Sequence, residues 1–301
     1  MKIVSFLRPG SDEPRVGALL QHDAILDFAH EATGIPEPRR FLDWFDLDGS
    51  SFPEARTLHD GLATGKEGHE RLRRAGAIVP RSSVRLLAPV PRPGKILCIG
   101  LNYADHAKEG GHEIPGRPLV FSKFPSSVIA PGETVRIPAG CEKLDYEAEL
   151  GVVIGRRAKL VPKAKGLHHV LGYVNFNDVS ARDFQFADGQ WQRGKSCDTF
   201  APFGPFLATT DELPDPQRLA IRLRVNGETR QDSSTEQMIF GVAELVMYLS
   251  EAFTLEPGDV IATGTPPGVG FARRPPLWLC EGDRVEVEVE GLGVLANPVG
   301  R

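Results

Sequence analysis

The sequence predicts a mixed β (α+β) fold in which a few helices cover β-sheets. Short apolar segments recur between turn residues, and the 32 glycines and 25 prolines favour strands that are joined by tight turns. Strands and helices do not alternate regularly, which disfavours a doubly wound parallel sheet. The persuasive helical pattern lies in residues 242–253, where Val242, Leu245 and Leu249 share one face.

A proline-rich segment divides the chain into two predicted domains. Residues 1–87 contain short apolar runs between turn residues, which is typical of a small β-rich domain. Residues 88–94, APVPRPG, predict an extended linker because proline fixes φ and removes backbone donors. Residues 95–301 then form the second, larger domain, and a chain of 301 residues is long enough for two buried cores.

Several segments of the larger domain predict individual strands. Residues 219–225 alternate between apolar and polar and lead into Asn226 and Gly227, which predicts a hairpin. Residues 285–290 alternate between valine and glutamate, as in a half-exposed strand. Three further apolar runs have the length of buried strands, namely residues 95–100, 147–154 and 169–176.

Composition excludes several classes of protein. The chain has 40 acidic and 35 basic residues and a net charge of −5, so no positive field favours nucleic acid as a partner. No apolar stretch approaches the roughly 18 residues that cross a bilayer, so we expect no membrane partner. Arg8 interrupts the first apolar run, which is too short for a signal peptide, and we therefore expect a cytoplasmic protein. The four cysteines are widely spaced and predict free thiols.

Two nucleotide-binding patterns fail in their context. Residues 189–196, GQWQRGKS, match the phosphate-loop pattern, which requires an apolar strand before it and a helix after it. Three charged residues occupy the preceding ARDFQFAD, and Pro202 and Pro205 follow where the helix should run. A GxGxxA pattern at Gly291 lies too close to the end of the chain for a βαβ unit.

The most informative stretch is LDYEAELGVVIG, residues 144–155. Asp145, Glu147 and Glu149 alternate, so in a strand they share one face. Carboxylates that close repel one another unless a cation lies among them, although a solvated strand end explains the spacing alone equally well. A second apolar strand ends at Asp178, and this additional carboxylate favours a metal site. Oxygen ligands suit Mg²⁺ or Mn²⁺, whereas zinc prefers histidine and cysteine.

The motifs LNYADHAKE, DYEAEL, NDVSARDFQ, GKSCDTFAPFGP, RVNGE and ATGTPPGVG lie between about Lys95 and Val299. On these motifs, that part of the chain resembles the fumarylacetoacetate hydrolase family, and is most similar to its domain-containing protein 2-like branch. The resemblance implies the family's mixed β-sheet roll, a divalent metal held by Glu147, Glu149 and Asp178, and a homodimer. Larger members have an additional upstream aspartate ligand without a clear counterpart here, so we expect three carboxylates.

The resemblance also implies roles for individual residues. His106 and Glu109 are three apart, which places them on one face of a short helix. In the family pattern Glu109 orients His106, and His106 removes a proton from water. Lys195 would stabilise an oxyanion, while Gln185 and Thr265 would donate hydrogen bonds to substrate oxygens.

Other residues near these motifs receive weaker assignments. Gly110 and Gly111 suggest a flexible lid over the substrate. Arg182 stays outside the catalytic set because it equally suits an ion pair at a strand end. Cys197 is interpreted as a packed thiol, the usual state of a free cysteine.

These assignments predict a metal-dependent hydrolase for a small 3-acylpyruvate or related β-diketo acid. Water would attack the remote carbonyl, and the metal would stabilise the departing enolate. The same electron sink serves an oxaloacetate-type decarboxylase or a keto–enol tautomerase, and this alternative stays open. A non-catalytic sugar-acid or diketone binding protein is a further alternative, against which the intact His106, Glu109 and Lys195 argue.

Overall fold

A computed structural model describes residues 1–21, 23–109 and 113–301. The first strands are β1 (Lys2–Leu7), β2 (Arg15–Leu20), β3 (Ala24–Asp27), β4 (Ile78–Pro80), β5 (Arg85–Leu86), β6 (Ile96–Gly100), β7 (Leu119–Lys123), β8 (Val128–Ile129), β9 (Val135–Arg136) and β10 (Leu144–Asp145). The later strands are β11 (Ala148–Ile154), β12 (Val170–Asn177), β13 (Ser180–Ala181), β14 (Ala201–Thr209), β15 (Ala220–Val225), β16 (Glu228–Ser234), β17 (Val260–Ala262), β18 (Arg284–Val289) and β19 (Val294–Gly300).

Helices are few and short beside these strands. The α-helices are α1 (Ser51–Thr64), α2 (Lys66–Arg74), α3 (Ala104–Glu109), α4 (Arg182–Ala187), α5 (Gln192–Lys195) and α6 (Val242–Ala252). Turns of 3-10 helix cover Glu31–Thr33, Phe41–Phe45, Arg81–Ser83, Pro125–Ser127, Lys163–His169, Thr235–Gln237 and Gly270–Ala272. The mixed β fold class is therefore confirmed.

Two main sheets carry the architecture. The larger has 12 strands along the order β4-β3-β2-β1-β14-β12-β11-β17-β6-β7, with β5 attached to β1 and β8 to β14. The smaller has 5 strands in the order β16-β15-β18-β19-β9. β10 and β13 form a separate antiparallel pair. The mixture of parallel and antiparallel neighbours is the sheet roll that the family resemblance implied.

Strand β11 shows how the core divides into two layers. Leu150 and Val152 point into the apolar cluster that also contains Leu223 and Val287 of the smaller sheet. Val153 points the other way, into a cluster shared with Trp44 near the N-terminal end of the chain. Because every residue of β11 is buried, the strand is continuously apolar after Glu149 rather than alternating.

The N-terminal strands continue the larger sheet. β1 pairs with β2 on one side and with β14 on the other, with Ile3 opposite Leu207. The structure thus joins residues 1–87 to the rest of the chain by backbone hydrogen bonds. The predicted division at residues 88–94 stays a prediction.

Several local predictions are confirmed. Asn226 and Gly227 form the turn between β15 and β16, both with φ above +50°. The helix predicted over residues 242–253 is α6, which ends at Ala252. The phosphate-loop match is not preceded by a strand, because α4 comes before it.

The single strand predicted through Asp145, Glu147 and Glu149 is wrong. Asp145 belongs to β10, and β11 begins only at Ala148. Between these strands, the backbone N–H groups bond to side chains instead of a neighbouring strand. The Glu147 N–H donates to Asn177 Oδ1 at 3.1 Å, and the Tyr146 N–H donates to Asp145 Oδ1 at 2.9 Å. Strand pairing is therefore interrupted between the first acid and the second.

Candidate metal centre and active site

The acids Glu147, Glu149 and Asp178 converge in the structure. Each offers a carboxylate oxygen, these oxygens lie within 4.8 Å of one another, and all three side chains are buried. The pairing of β11 with β12 explains the convergence, because Ala148 lies opposite Asn177. The start of β11 therefore meets the end of β12, and Asp178 directly follows that end.

Two buried lysines neutralise part of this charge. Lys195 Nζ donates to Glu147 Oε2 at 2.8 Å and to Asp178 Oδ2 at 2.7 Å. Lys123, at the end of β7, donates to the other oxygen of Asp178 and to the Val179 carbonyl. Burial lowers the pKa of Lys195, but the charges of Asp178 and Glu147 outweigh it, so the pKa is raised and the ammonium stays charged.

Glu149 is the acid with the least compensation. Its Oε2 accepts the Gly264 N–H at 2.8 Å, and among the described residues no lysine or arginine forms an ion pair with it. Burial, and then the charges of Asp178 and Glu147, raise the pKa of Glu149 well above its usual range. A buried carboxylate in this position is stabilised by either a proton or a cation.

Glu147 is ionised by contrast. Burial alone raises its pKa, but the charges of Lys195 and Arg182 overcome this and lower the pKa to about 2. Arg182 Nη2 donates to Glu147 Oε1 at 2.6 Å. Arg182, left outside the catalytic set by the sequence, thus directly orients a carboxylate of the candidate metal centre.

Asp145 anchors the Arg182 side chain from behind. Arg182 Nε donates to Asp145 Oδ2 at 2.9 Å, and the backbone N–H groups of Gly270 and Phe271 donate to the same carboxylate at 2.7 and 3.1 Å. Asp145 is fully buried and lies outside the three-acid cluster, as the resemblance implied. Asp145 therefore fixes the position of Arg182 relative to the loop that follows Thr265.

The cluster suits a divalent metal. Four buried acids, Asp145 included, face three buried cations, so one negative charge remains to be balanced by a proton or by a further cation. Each carboxylate oxygen has two lone pairs, so the oxygens that accept hydrogen bonds from Lys195 or Arg182 retain capacity for a metal. Oxygen ligands alone match Mg²⁺ or Mn²⁺ chemistry.

A cavity of about 210 Å³ opens beside the cluster. This volume is below the roughly 300 Å³ of pockets for drug-sized ligands, so it fits a small organic acid. The cavity brings together four of the predicted site residues outside the metal cluster, and it includes Glu147 as well. Its lining is Ile99, Gly100, Leu101, His106, Phe121, Glu147, Arg182, Gln185, Phe186, Trp191, Lys195, Thr265, Phe271 and Ala272.

Gln185 and Thr265 are oriented as donors in this cavity. Gln185 Oε1 accepts from Arg182 Nη1 at 3.0 Å, which leaves its amide NH₂ for a ligand. Thr265 Oγ1 accepts from Gln231 Nε2 at 2.9 Å, so its hydroxyl proton is available to donate. Gln231 was missed by the sequence analysis because a glutamine in a half-exposed hairpin carries no motif.

Gly194 allows α5 to pack directly on α4. A Cβ atom there would lie 2.5 Å from the Gln185 backbone nitrogen, so only glycine permits this approach. The contact sets the spacing between Gln185 and Lys195. The glycine of the misleading phosphate-loop pattern therefore serves helix packing.

The structure describes only some of the residues predicted around His106. His106 lies on α3, the short helix predicted from its spacing to Glu109, and lines the cavity. The Glu109 side chain and the proposed lid glycines Gly110 and Gly111 lie outside the described residues, so the dyad and the lid stay predictions. Cys197 is partly buried and donates to the Arg193 carbonyl, as a packed thiol does.

Lys123 is the functional candidate that the sequence analysis missed. It ends the strand LVFSK, and its side chain is fully buried against Asp178. The available signal was a lysine at the end of an otherwise apolar strand, which is costly to bury without an acidic partner.

A buried cluster of carboxylates that could hold a divalent metal lies beside a small cavity on a mixed β roll. Residues 95–300 match the family model described as Fumarylacetoacetate (FAA) hydrolase C-terminal. The chain belongs to this family.

Individual relatives agree with that assignment. The chain is 41% identical over 302 residues to "Oxaloacetate tautomerase fahd2, mitochondrial" of Xenopus laevis, covering 99% of this chain and 90% of the relative. Such matches place it in the domain-containing protein 2 branch of the family.

No helix among the described residues is long and apolar enough to span a membrane.

Solved structures show the same fold. Fumarylacetoacetate hydrolase from Exiguobacterium antarcticum has a TM-score of 0.80 at 36% identity, with 100% of this chain and 99% of that chain covered. A 2-hydroxyhepta-2,4-diene-1,7-dioate isomerase from Mycobacterium marinum has a TM-score of 0.76 at 32% identity, covering 100% and 98%.

Proposed function

We propose that the protein is a divalent-metal-dependent tautomerase that interconverts the enol and keto forms of oxaloacetate, with Mg²⁺ or Mn²⁺ at Glu147, Glu149 and Asp178. The observation that carries the proposal is that one small cavity contains Glu147, Lys195 and His106 together. A relative with 41% identity bears the name oxaloacetate tautomerase. This favours the tautomerase alternative over the acylpyruvate hydrolase that the sequence analysis put first.

The chemistry required is a proton transfer between C3 and the C2 oxygen of the substrate. Glu147, Glu149 and Asp178 would hold a divalent metal, which would supply Lewis-acid stabilisation of the enolate charge. Lys195, whose ammonium is fixed between two carboxylates, places positive charge beside the substrate oxygen. His106 is the group in the cavity that suits proton exchange at C3 near neutral pH.

The remaining residues orient the substrate. The Gln185 amide and the Thr265 hydroxyl donate to the substrate's carboxylate or C2 oxygen. Arg182 keeps Glu147 in place. The aromatic side chains that line the cavity, Phe121, Phe186, Trp191 and Phe271, limit access of water. We propose that the protein works as a cytoplasmic homodimer on a small-molecule substrate, with neither nucleic acid nor membrane as a partner.

The test follows oxaloacetate added as its enol to the Mg²⁺- or Mn²⁺-loaded protein. We expect the enol absorbance to decay faster than without protein, while pyruvate and CO₂ form at the uncatalysed rate. His106→Asn should lower kcat about 100-fold, since general acid–base catalysis contributes roughly 10²–10⁴-fold. His168→Asn, at an exposed histidine outside the cavity, is the matched control.

Other products would redirect the assignment. Rapid CO₂ release would identify a decarboxylase, and cleavage of acetylpyruvate into acetate and pyruvate would restore the hydrolase. Relaxation of oxaloacetate at the uncatalysed rate with metal-loaded protein would refute the tautomerase.

A further inference from the structure

The cavity is lined by more aromatic surface than a dicarboxylic acid requires. Phe121 and Trp191 form one edge-to-face pair with ring centroids 5.3 Å apart. Phe186 and Phe271 form a second pair at 5.9 Å. Phe121, Trp191 and Phe271 are half-buried, while Phe186 is 57% exposed at the rim. Rings that face a cavity in this way bind apolar or aromatic ligand groups.

Each aromatic pair adjoins one of the cations in the cavity. Lys195 Nζ lies 5.1 Å from the centre of the Phe121 ring, and the Arg182 guanidinium lies 5.0 Å from that of Phe271. A 2-oxo acid bound with its oxygens near these cations would place its C3 substituent within reach of the rings.

These two cations, Lys195 and Arg182, already form ion pairs with carboxylates of the protein. Lys195 is paired with Glu147 and Asp178, and Arg182 with Asp145 and Glu147. Apart from His106, no other basic residue lines the cavity in the part of the chain that the structure describes. A second carboxylate on the substrate, as in oxaloacetate, would share cations that protein carboxylates already occupy, whereas an aryl group would meet the rings directly.

We propose that this cavity accepts 2-oxo acids that carry an aromatic substituent on C3, the arylpyruvates, and interconverts their keto and enol forms. The proposal rests on the proposed tautomerase function and extends its substrate class. A C3–H bond breaks and an O–H bond forms at the C2 oxygen, so one proton moves and no atom or electron is gained or lost. The aryl ring then packs between Trp191 and the Phe186–Phe271 pair.

The experiment compares phenylpyruvate with oxaloacetate on the same metal-loaded preparation. The enol of phenylpyruvate is conjugated with its ring, so its ultraviolet absorbance reports the tautomer ratio directly. We expect the enol decay of phenylpyruvate to be accelerated at least tenfold over the metal-only control. Because phenylpyruvate has no carboxylate beyond C3, decarboxylation of the kind open to oxaloacetate cannot mimic the signal.

Variants of the aromatic wall test where the ring binds. Trp191→Ala should lower kcat/KM for phenylpyruvate at least tenfold more than for oxaloacetate, and Trp191→Phe should recover most of this difference. Phe186→Ala, at an exposed ring that is not needed for the core, should change the ratio in the same direction. Phe253→Ala is the matched control, since Phe253 is 41% exposed and lies outside the cavity.

The outcomes separate this inference from the proposed function. Acceleration with oxaloacetate but not with phenylpyruvate would overturn the inference and leave the proposed function intact. Acceleration with phenylpyruvate alone would support the inference and replace oxaloacetate as the substrate. An equal loss of kcat/KM for both substrates in Trp191→Ala and Phe186→Ala would refute these aromatic residues as the binding site of the aryl group. If the wild-type protein accelerates neither phenylpyruvate nor oxaloacetate, both proposals are refuted.

Discussion

Arg182 links Asp145 to Glu147, with its Nε 2.9 Å from Asp145 Oδ2 and its Nη2 2.6 Å from Glu147 Oε1. One guanidinium thus joins an acid that anchors a loop to an acid of the candidate metal centre. All three side chains are buried, so their charges interact with little solvent screening. The orientation of Glu147 consequently depends, through Arg182, on Asp145, which lies outside both the three-acid cluster and the cavity lining.

Asp145→Asn should destabilise the protein by about 3 kcal/mol, because it breaks a buried ion pair and leaves Arg182 paired with Glu147 alone. Urea unfolding of the metal-free protein measures the change. Asp232→Asn is the control, since Asp232 pairs with Arg222 at 3.0 Å on the surface and such pairs contribute about 1 kcal/mol or less. Equal effects of the two substitutions would show that the Asp145–Arg182 pair is not energetically important.

Gly194→Ala should lower kcat and cost roughly 1–3 kcal/mol, the usual penalty for overpacking. The added Cβ would lie 2.6 Å from Gln185 Cα, so α5 must move away from α4 and carry Lys195 with it. Gly116→Ala is the control, because nothing lies within 4 Å of its added Cβ. Steady-state kinetics and thermal melting should separate the two variants, and an unchanged kcat in Gly194→Ala would argue against helix spacing as a determinant of the site.

The metal-free protein should become less stable as the pH rises above the ordinary glutamate pKa of 4.5. The folded protein raises the pKa of Glu149, mainly through burial, so it holds a proton that the unfolded chain releases. Folded protein then binds more protons than unfolded protein, and stability falls with pH by up to about 1.4 kcal/mol per unit. Unfolding in chelator between pH 5 and pH 8 should show this decline, and Glu149→Gln should flatten it; parallel profiles would contradict the assignment.

Mn²⁺ or Mg²⁺ should stabilise the wild-type protein, by about 2.7 kcal/mol when the metal concentration is a hundred times the Kd. A thermal melt with and without chelator measures the shift. Glu149→Gln should abolish most of it while leaving the ion pairs of Lys195 in place, whereas Glu290→Gln, at an exposed glutamate, should retain it. A full metal-induced shift in Glu149→Gln would place the metal elsewhere.

The sequence predicted the elements and the acids better than it predicted their surroundings. The hairpin at Asn226 and Gly227 was predictable because the turn is determined locally by residues that accept positive φ. The acids Glu147, Glu149 and Asp178 were found because carboxylates at the ends of apolar strands are chemically conspicuous. Their convergence required the register of β11 against β12, which depends on long-range pairing.

The cations were harder to predict. Lys123 and Arg182 acquire their roles only from acids that lie 55 and 35 positions away in the chain. Alternation also misplaced Asp145, because side-chain acceptors at Asp145 and Asn177 took the backbone N–H groups that a continuous strand would have paired. The spacing of residues in a sequence does not show whether a backbone N–H will bond to a side chain or to a neighbouring strand.

The pairing of Ile3 with Leu207 has a consequence for how this protein can be divided. Cutting the chain within residues 88–94 would leave β1 hydrogen-bonded to β14. Deleting residues 1–87 would instead uncover a row of backbone donors and acceptors on β14, and an uncovered strand of that kind recruits other chains. Truncation is therefore expected to produce aggregation before it produces a smaller enzyme.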